Sequence, residues 1–393
     1  MTHLTRKAQT WAARTILAAT CLWLAACDTI PVTAGAGGPK INTDKPVAVA
    51  LLVPRGSGQA GDDVLAAGLE NAAKLAIADL QGVQIDLRVY STAGSPAQAA
   101  TVATQAVNEG AKIILGPVFA NAANAAGVAV APRNINVLSF SNNTDIAGGN
   151  VFVLGNTFEN TANRLVSYSV GQGKRKIMVV NGQDAAEQKG RAAIEAAISR
   201  HGGTSVGSTS FELSQNGVVQ AIPAITSGVN SNGAQAVFMT SGTAGALPIL
   251  AQLMVDNGIN PASTQFIGLQ RWDIPAGARD LPALQGGWFA LPSPTLTEQF
   301  RARYTAAYGQ PPHPISSLAY DGIAAIGALI SAGKSDALTA AALTQSTGFA
   351  GVNGVFRLRL DGTNERGLAI ATISDKQVKV IDPAPRSFGG AGF

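Results

Sequence analysis

A glycine-rich segment near the start of the folded part has the spacing of a nucleotide-binding loop. Residues 56–61, Gly-Ser-Gly-Gln-Ala-Gly, match G-x-G-x-x-G between an apolar run at 47–53 and a helix-like stretch at 64–80. In dinucleotide-binding proteins such a loop holds a pyrophosphate at the helix N-terminus. Here Asp62 and Asp63 stand at that N-terminus, where their carboxylates complement the helix dipole and repel a phosphate. We therefore expect a tight turn that lines a ligand cleft, and no dinucleotide cofactor.

The other side chains give little reason to expect catalysis or metal binding. The sequence has three histidines: His3 falls in the leader, His201 ends a predicted helix, and His313 lies in a Pro-rich loop. Carboxylates are scattered along the chain, and no H-E-x-x-H zinc motif occurs. We therefore expect a non-enzymatic protein with no catalytic residue, no metal site and no cofactor.

The first residues have the pattern of an export signal. Three basic residues precede an apolar stretch at 16–26 that is too short to span a bilayer comfortably. Leu24-Ala25-Ala26-Cys27 resembles the lipobox of bacterial lipoproteins. This resemblance implies a signal peptide at 1–26, cleavage before Cys27 and a diacylglycerol on the Cys27 sulfur. We therefore expect a protein anchored by lipid to a membrane and exposed to the bacterial periplasm, with the choice between inner and outer membrane open.

Composition constrains the partners and the ends of the chain. Of two cysteines, Cys21 lies in the signal, so the mature chain has no disulfide. Loss of three basic residues with the signal lowers the net charge from +4 to +1, which gives no reason to expect a nucleic-acid partner.

Residues 27–45 are rich in Gly, Pro and Thr and predict a flexible tether. Residues 383–393 predict a disordered tail, with packing of either end onto the domain as the alternative.

Between these ends, apolar strands alternate with amphipathic helices. Continuous apolar strands separated by such helices favour parallel sheets that are covered on both faces. About ten strand candidates precede residue 295, which is too many for one ordinary sheet. About 350 structured residues also favour two domains. We therefore predict an α/β fold with two doubly wound parallel-sheet lobes.

Three long segments carry a family resemblance. The segments at 47–80, 111–143 and 300–330 are similar in order and spacing to type I periplasmic binding proteins of the leucine and amino-acid receptor group. The resemblance covers roughly residues 46–380. It implies two lobes joined by three crossovers, with a ligand cleft between them.

The resemblance also implies where each lobe begins and ends. We place the whole binding domain at 46–382. Lobe 1 is expected at about 46–155 and 296–352, and lobe 2 at about 156–295 and 353–382.

Candidate cleft residues lie on loops that follow the predicted strands. In open α/β sheets, ligands bind at the carboxyl ends of strands and at helix N-termini. The expected cleft residues are Arg55, Ser57, Ala120, Ser141, Asn142 and Asn143 in lobe 1, and Asp184, Ser241, Gln270 and Arg271 in lobe 2.

The same resemblance bears on the ligand. In amino-acid receptors of this group, the loops matching 118–121 and 139–143 hold the ligand carboxylate through backbone N–H groups and hydroxyls. Their ammonium partner is a Glu after an F-x-G-x strand end, where this chain has Gln270. Because Gln carries no charge, a buried ammonium would lack its partner, which weakens the case for an α-amino acid. Arg55 and Arg271 point instead to an acidic or sugar-like ligand, or to a surface that a protein uses.

Two functions follow from the resemblance. Residues 138–155, LSFSNNTDIAGGNVFVLG, look most similar to lipoprotein activators of penicillin-binding proteins. That similarity implies a regulator of peptidoglycan synthesis whose partner is a penicillin-binding protein. The alternative is the solute-binding receptor of an ABC importer, whose partners are an ABC permease and an amino acid or related small polar ligand.

Overall fold

The computed structural model describes residues 38–388, in which strands and helices alternate as the sequence predicts. The predicted signal peptide at 1–26, Cys27 and tether residues 28–37 lie outside the described residues, as do residues 389–393.

Lobe 1 is built on a five-stranded parallel sheet with the order β2-β1-β3-β4-β5. Its strands are β1 (Val47–Val53), β2 (Ile85–Ser91), β3 (Ile113–Leu115), β4 (Val137–Ser139) and β5 (Val151–Val153). Its first helices are α1 (Ala60–Asp79), α2 (Pro96–Asn108) and α3 (Ala120–Val130). Every residue of β1 is buried, because the strand lies between β2 and β3 and helices cover both sheet faces. Leu51, for example, stands opposite Val89 of β2 and Leu115 of β3.

Lobe 2 has a seven-stranded sheet with the order β15-β14-β10-β9-β8-β6-β7. Its strands are β6 (Lys176–Gly182), β7 (Thr204–Phe211), β8 (Ala236–Met239), β9 (Gln265–Gly268), β10 (Trp288–Leu291), β14 (Ala369–Ser374) and β15 (Gln377–Asp382). Its helices are α4 (Phe158–Gly171), α5 (Ala185–Arg200), α6 (Gln215–Asn232) and α7 (Leu247–Asp256). The sheet is mixed, since β14 pairs antiparallel with β10, and β15 with β14. In this sheet, the expectation of parallel strands therefore holds only for β6–β10, whereas it holds for every strand of the lobe 1 sheet.

The chain returns to lobe 1 after β10. The returning elements are α8 (Pro294–Tyr308), α9 (Ser317–Ser331), α10 (Ala340–Leu343) and a small antiparallel sheet of β11 (Phe349–Gly351), β12 (Gly354–Leu358) and β13 (Asn364–Arg366). Phe356 and Leu358 belong to the lobe 1 core, whereas Leu368 belongs to a lobe 2 core cluster. The final crossover thus lies after β13, later than the expected boundary at 352/353, because alternate side chains of β12 face the lobe 1 core.

A buried ion pair links helix α9 to the last crossover. Asp321 is fully buried and lies 3.0 Å from Nη1 of Arg366, which is also buried. The Asp321 carboxylate accepts a further hydrogen bond from the backbone N–H of Val352 at 2.8 Å. Burial raises the pKa of Asp321, and Arg366 opposes that shift. The pair therefore fixes α9 against the strand that leads back to lobe 2.

Both described ends of the chain pack onto the domain. The Ile41 side chain is buried in the lobe 1 core, and its N–H donates to the Ser335 carbonyl at 2.8 Å. At the other end, Phe388 is buried with its ring centroid 4.7 Å from the Arg357 guanidinium carbon. The structure thus differs from the expected tether at 38–45 and the expected disordered tail at 383–388, since each segment carries an apolar side chain that the core accepts. Within residues 38–388, no helix combines the length and apolar character that a membrane crossing requires.

Candidate functional site

A cavity of about 870 Å³ lies in lobe 2, where β6, β8 and β9 end. This edge of an open α/β sheet is where ligands commonly bind. The polar lining residues are Asp184, Glu187, Ser214, Gln215, Thr243, Gln270 and Arg271. The larger apolar lining residues are Leu213, Val218, Ile249 and Ile274. The cavity therefore combines a polar floor with an apolar wall.

Glu187 is a polar lining residue whose carboxylate is fixed by several hydrogen bonds. Its Oε2 accepts hydrogen bonds from the Gly182 N–H and from the Thr240 hydroxyl, the latter at 2.8 Å. The hydroxyl oxygen of Ser241, which is fully buried, lies 2.8 Å from both carboxylate oxygens. Three donors from β6 and from the loop after β8 thus fix the carboxylate in one position.

Sequence reasoning did not find Glu187, although a local signal was present. Asp184 begins α5 as its N-cap, and Asp184 Oδ1 accepts the Glu187 N–H at 2.7 Å. An acceptor residue followed three positions later by Glu has the spacing of a capping box, in which the Glu side chain folds back over the helix start. In the structure Glu187 does fold back, but it bonds to Gly182 instead of the N-cap residue.

Gln270 reaches the same cavity from the end of β9. Its side-chain N–H donates to the Thr240 carbonyl at 3.1 Å, so one end of the amide is already occupied. The amide lies close to Gly242, where an added Cβ would be 2.5 Å from Gln270 Oε1. A side chain at position 242 would therefore displace Gln270 from the cavity wall.

The loop after Gln270 is anchored on both sides. Arg271 pairs with Asp273 through two contacts, Nε to Oδ1 at 2.9 Å and Nη2 to Oδ2 at 2.5 Å. Trp272 is fully buried and stacks on Phe289 with ring centroids 6.4 Å apart. Glycines at 268 and 287 leave the space that the indole occupies. Trp272 therefore packs in the core and holds Gln270 and Arg271 at the cavity.

The guanidinium of Arg55 is also paired. It lies 2.7 Å from Glu70, which in turn contacts Lys74. Ser57, two residues on, accepts the Gln59 N–H at 3.1 Å, and the Gly56 N–H donates to Asp63. Because Arg55 and Arg271 both have acidic partners, they no longer argue for an acidic or sugar-like ligand.

The remaining lobe 1 candidates form a turn and a helix start. Ser141 is buried, and its hydroxyl accepts the Asn143 N–H at 3.1 Å. Asn143 Oδ1 accepts the Asp145 N–H at 3.1 Å, while Asn142 is exposed. Ala120 is the first residue of α3. These bonds make Ser141 and Asn143 turn-forming residues whose side chains are already engaged.

A second cavity of about 660 Å³ lies between the two lobes. It is lined by residues 142–145 of lobe 1 and by residues of α4 and α5 in lobe 2. Lys189 of α5 forms an ion pair with Asp145 across it, and Lys189 Nζ lies 3.4 Å from Asn143 Oδ1. This pair connects the lobes near the expected cleft.

The structure thus divides the expected site residues into three groups. Asp184, Gln270 and Arg271 line the lobe 2 cavity, and the buried Ser241 contacts the lining residue Glu187. Asn142 and Asn143 line the interlobe cavity. The residues that line neither of these two cavities are Arg55, Ser57, Ala120, Ser141 and Ser241 itself.

The described titratable groups do not form a metal centre. Within residues 38–388, no three His, Cys, Asp or Glu side chains stand close enough to hold a metal ion. Burial lowers the pKa of His201 at the end of α5 and of His313 in the loop before α9.

Two short segments match catalytic serine motifs in sequence alone. Residues 203–207 read G-x-S-x-G, but Ser205 lies on the exposed edge strand β7. Residues 331–334 read S-x-x-K at the end of α9. The nucleophile elbow of G-x-S-x-G enzymes needs a sharp strand-to-helix turn at the serine, and Ser205 lies within a strand instead.

Comparison with known proteins identifies the family. A family model described as periplasmic binding protein matches residues 46–377, most of the chain. The chain belongs to the periplasmic binding protein family. Together with the two α/β lobes, this confirms the predicted type I fold. A comparison with curated protein sequences found no match.

Solved structures of similar fold support the assignment of this periplasmic binding protein to the type I fold. A protein from Rhodospirillum rubrum, described as a branched-chain amino acid ABC transporter, has a TM-score of 0.72 at 17% identity and covers 86% of this chain and 100% of its own. A branched-chain amino acid ABC transporter periplasmic ligand-binding protein from Burkholderia xenovorans has a TM-score of 0.67 at 18% identity, over 88% and 97%. An ABC transporter substrate-binding protein from Desulfitobacterium hafniense in complex with Leu has a TM-score of 0.62 at 18% identity, over 86% and 100%.

Proposed function

We propose that this periplasmic binding protein is the solute receptor of an ABC importer. The observation that carries the proposal is the cavity of about 870 Å³ at the carboxyl ends of the lobe 2 strands. Small-molecule sites in proteins measure about 300–1,000 Å³ and combine apolar walls with a few placed polar groups. Solved proteins of similar fold are described as ABC transporter binding proteins, one of them in complex with Leu.

The geometry suits a small solute with both polar and apolar parts, such as an amino acid or a related compound. The polar part would contact Glu187 and Gln270, and the apolar part would contact Leu213, Ile249 and Ile274. Closure of lobe 1 over the lobe 2 cavity would exclude water from it and add contacts to the ligand, as in other two-lobed binding proteins. A lipid on Cys27 would hold the receptor at the membrane beside an ABC permease.

A thermal unfolding screen of the full chain tests the proposal. The panel comprises the twenty standard amino acids and related small polar solutes. A ligand at a hundred times its dissociation constant stabilises the folded state by about 2.7 kcal/mol, so the unfolding midpoint rises. Deletion of the gene should then abolish cellular uptake of the solute that gives the shift. A panel with no shift would contradict a solute receptor.

The sequence similarity of residues 138–155 favours a second candidate, an activator of penicillin-binding proteins. The segment includes the end of β4, all of β5 and the loop between these strands, on which Asn142 and Asp145 are exposed. Such a loop is accessible to a protein partner. Crosslinking in cells followed by purification should recover a penicillin-binding protein, and added protein should change glycan synthesis by that enzyme. Recovery of permease subunits alone would contradict the activator.

A further inference from the structure

The lobe 2 cavity has an excess of negative charge. Asp184 and Glu187 both line it, and within residues 38–388 neither carboxylate forms an ion pair with a basic side chain. The one basic lining residue of this cavity, Arg271, is held by Asp273 through two contacts. Carboxylates without a counter-ion attract a cation and disfavour an anion.

Glu187 keeps acceptor capacity toward the cavity. A carboxylate offers about four lone-pair positions. Glu187 receives three donors, from Gly182, Thr240 and Ser241, and two of them reach Oε2 only. Oε1 has the Ser241 hydroxyl as its one neighbour among these donors. A further N–H donor can therefore bind at Oε1 without displacing the bonds that position the side chain.

The apolar lining residues of the cavity are partly exposed. Leu213 is 46% exposed and Ile274 is 53% exposed, and Val218 and Ile249 also line the cavity. Covering this surface is favourable by about 25 cal/mol per Å² of apolar area removed from water. A fully polar ligand such as a sugar would leave this wall without a matching partner.

We propose that Glu187 is the specificity-determining residue of the cavity and that the ligand carries a cationic nitrogen on an apolar body. This inference rests on the proposed function as a solute receptor. Gln270, after the end of β9, is neutral and cannot pair with a cation. Glu187, in the first turn of α5, supplies the negative charge instead. The ligand nitrogen donates to Oε1, and the apolar body lies along Leu213, Ile249 and Ile274.

A series of probes that differ in the head group tests this inference by calorimetry on the full chain. The probes are 3-methylbutylamine, 3-methylbutan-1-ol and 4-methylpentanoate, which are cationic, neutral and anionic but share a branched apolar body. We expect the amine to bind at least tenfold more tightly than the alcohol, and the acid to bind most weakly. Higher ionic strength should weaken the amine more than the alcohol. These measurements need no variant, so they do not depend on whether a variant folds.

The variant Glu187→Gln keeps the shape of the side chain and removes its charge. It should lower the affinity for the amine at least tenfold and leave the affinity for the alcohol within twofold. The matched control is Glu195→Gln, which removes a charge on the same helix. Glu195 pairs with Arg191 and does not line this cavity. The control should keep the amine preference.

The outcomes separate the two proposals. If the three probes bind equally, or if Glu187→Gln keeps the amine preference, the role of Glu187 is overturned while a solute receptor stands. If neither the probes nor the amino-acid panel bind, the proposed function fails, and the inference about Glu187 fails with it.

Discussion

The Glu187 carboxylate and the Ser241 hydroxyl join two neighbouring βα units of lobe 2. Ser241 Oγ lies 2.8 Å from each carboxylate oxygen, and Ser241 is fully buried. Glu187 lies in the first turn of α5, which follows β6, whereas Ser241 follows β8. Because residues of the protein itself hold the carboxylate, the cavity floor is positioned before a ligand arrives, which lowers the entropy cost of binding.

Replacing Ser241 tests this arrangement. Ser241→Ala removes one donor from Glu187 and should lower the free energy of unfolding by about 1 kcal/mol, the net value of a typical hydrogen bond. Urea unfolding followed by circular dichroism measures the loss. Ser208→Ala on the exposed strand β7 is the matched control and should leave stability unchanged. Equal values for the two variants would show that the contact contributes nothing.

Two glycines of the same loop are predicted to respond differently to a methyl group. At Gly242 an added Cβ would lie 2.5 Å from Gln270 Oε1, whereas at Gly245 its nearest neighbour is the Gly242 carbonyl oxygen at 3.6 Å. Gly242→Ala should therefore displace Gln270 and weaken binding of 3-methylbutylamine at least tenfold. Gly245→Ala should change that affinity less than threefold. Calorimetry measures the affinity of both variants for 3-methylbutylamine. Similar losses of affinity in the two variants would contradict a role for Gln270 in the site.

The Asp321–Arg366 pair is predicted to stabilise the fold far more than an exposed pair does. Asp321→Asn leaves the buried Arg366 without a charge partner, which typically costs about 3–5 kcal/mol. Asp145→Asn breaks the pair with Lys189, in which both side chains are about half exposed, and should cost less than about 1 kcal/mol. Denaturant unfolding of both variants gives the comparison. A loss below about 1 kcal/mol for Asp321→Asn would contradict the structural role of the buried pair.

Stability is predicted to fall as the pH drops below the ordinary histidine pKa. Burial lowers the pKa of His201 and His313 in the folded chain, and Arg200 adds to the shift at His201. The unfolded chain keeps the ordinary value of 6.5, so below that pH it binds protons more readily than the folded chain does. The stabilisation is therefore present above pH 6.5 and is lost as the pH falls through the lowered values.

Urea unfolding at pH 7.5 and pH 5.5 measures this dependence. A double variant, His201→Gln with His313→Gln, should lose less stability between the two pH values than the unchanged chain does. An identical loss in both chains would assign the pH dependence to the carboxylates.

The sequence was sufficient for the elements whose hydrophobic pattern is strong. The apolar run at 47–53 predicts β1 with the same bounds that the structure has, since a strand buried on both faces is apolar throughout. Ser95 and Pro96 likewise predict the start of α2, where Ser95 is the N-cap. The number of strands and the chain length then predicted two lobes. Family resemblance added the three crossovers and the ligand cleft between the lobes.

The sequence alone did not predict strands β11–β13 or the role of Glu187. The strands β11–β13 are three to five residues long and alternate in burial, a pattern too short to locate the last crossover. Glu187 was missed because its role depends on Ser241, 54 positions away in sequence. The paired states of Arg55 and Arg271 depend on Glu70 and Asp273, whose orientation only the folded chain shows.

Calorimetry with a blocked cavity tests the central claim most directly, namely that the protein binds a small solute in lobe 2. Ala244 lines the cavity and is exposed, so Ala244→Trp should fill the cavity without disturbing the core. Ala262→Trp, on an exposed turn outside the cavity, is the matched control. We predict that the full chain binds at least one solute of the amino-acid panel with one-to-one stoichiometry, that Ala262→Trp preserves this binding, and that Ala244→Trp abolishes it. Binding that survives in Ala244→Trp, or no binding by the unchanged chain, would contradict a solute site in the lobe 2 cavity.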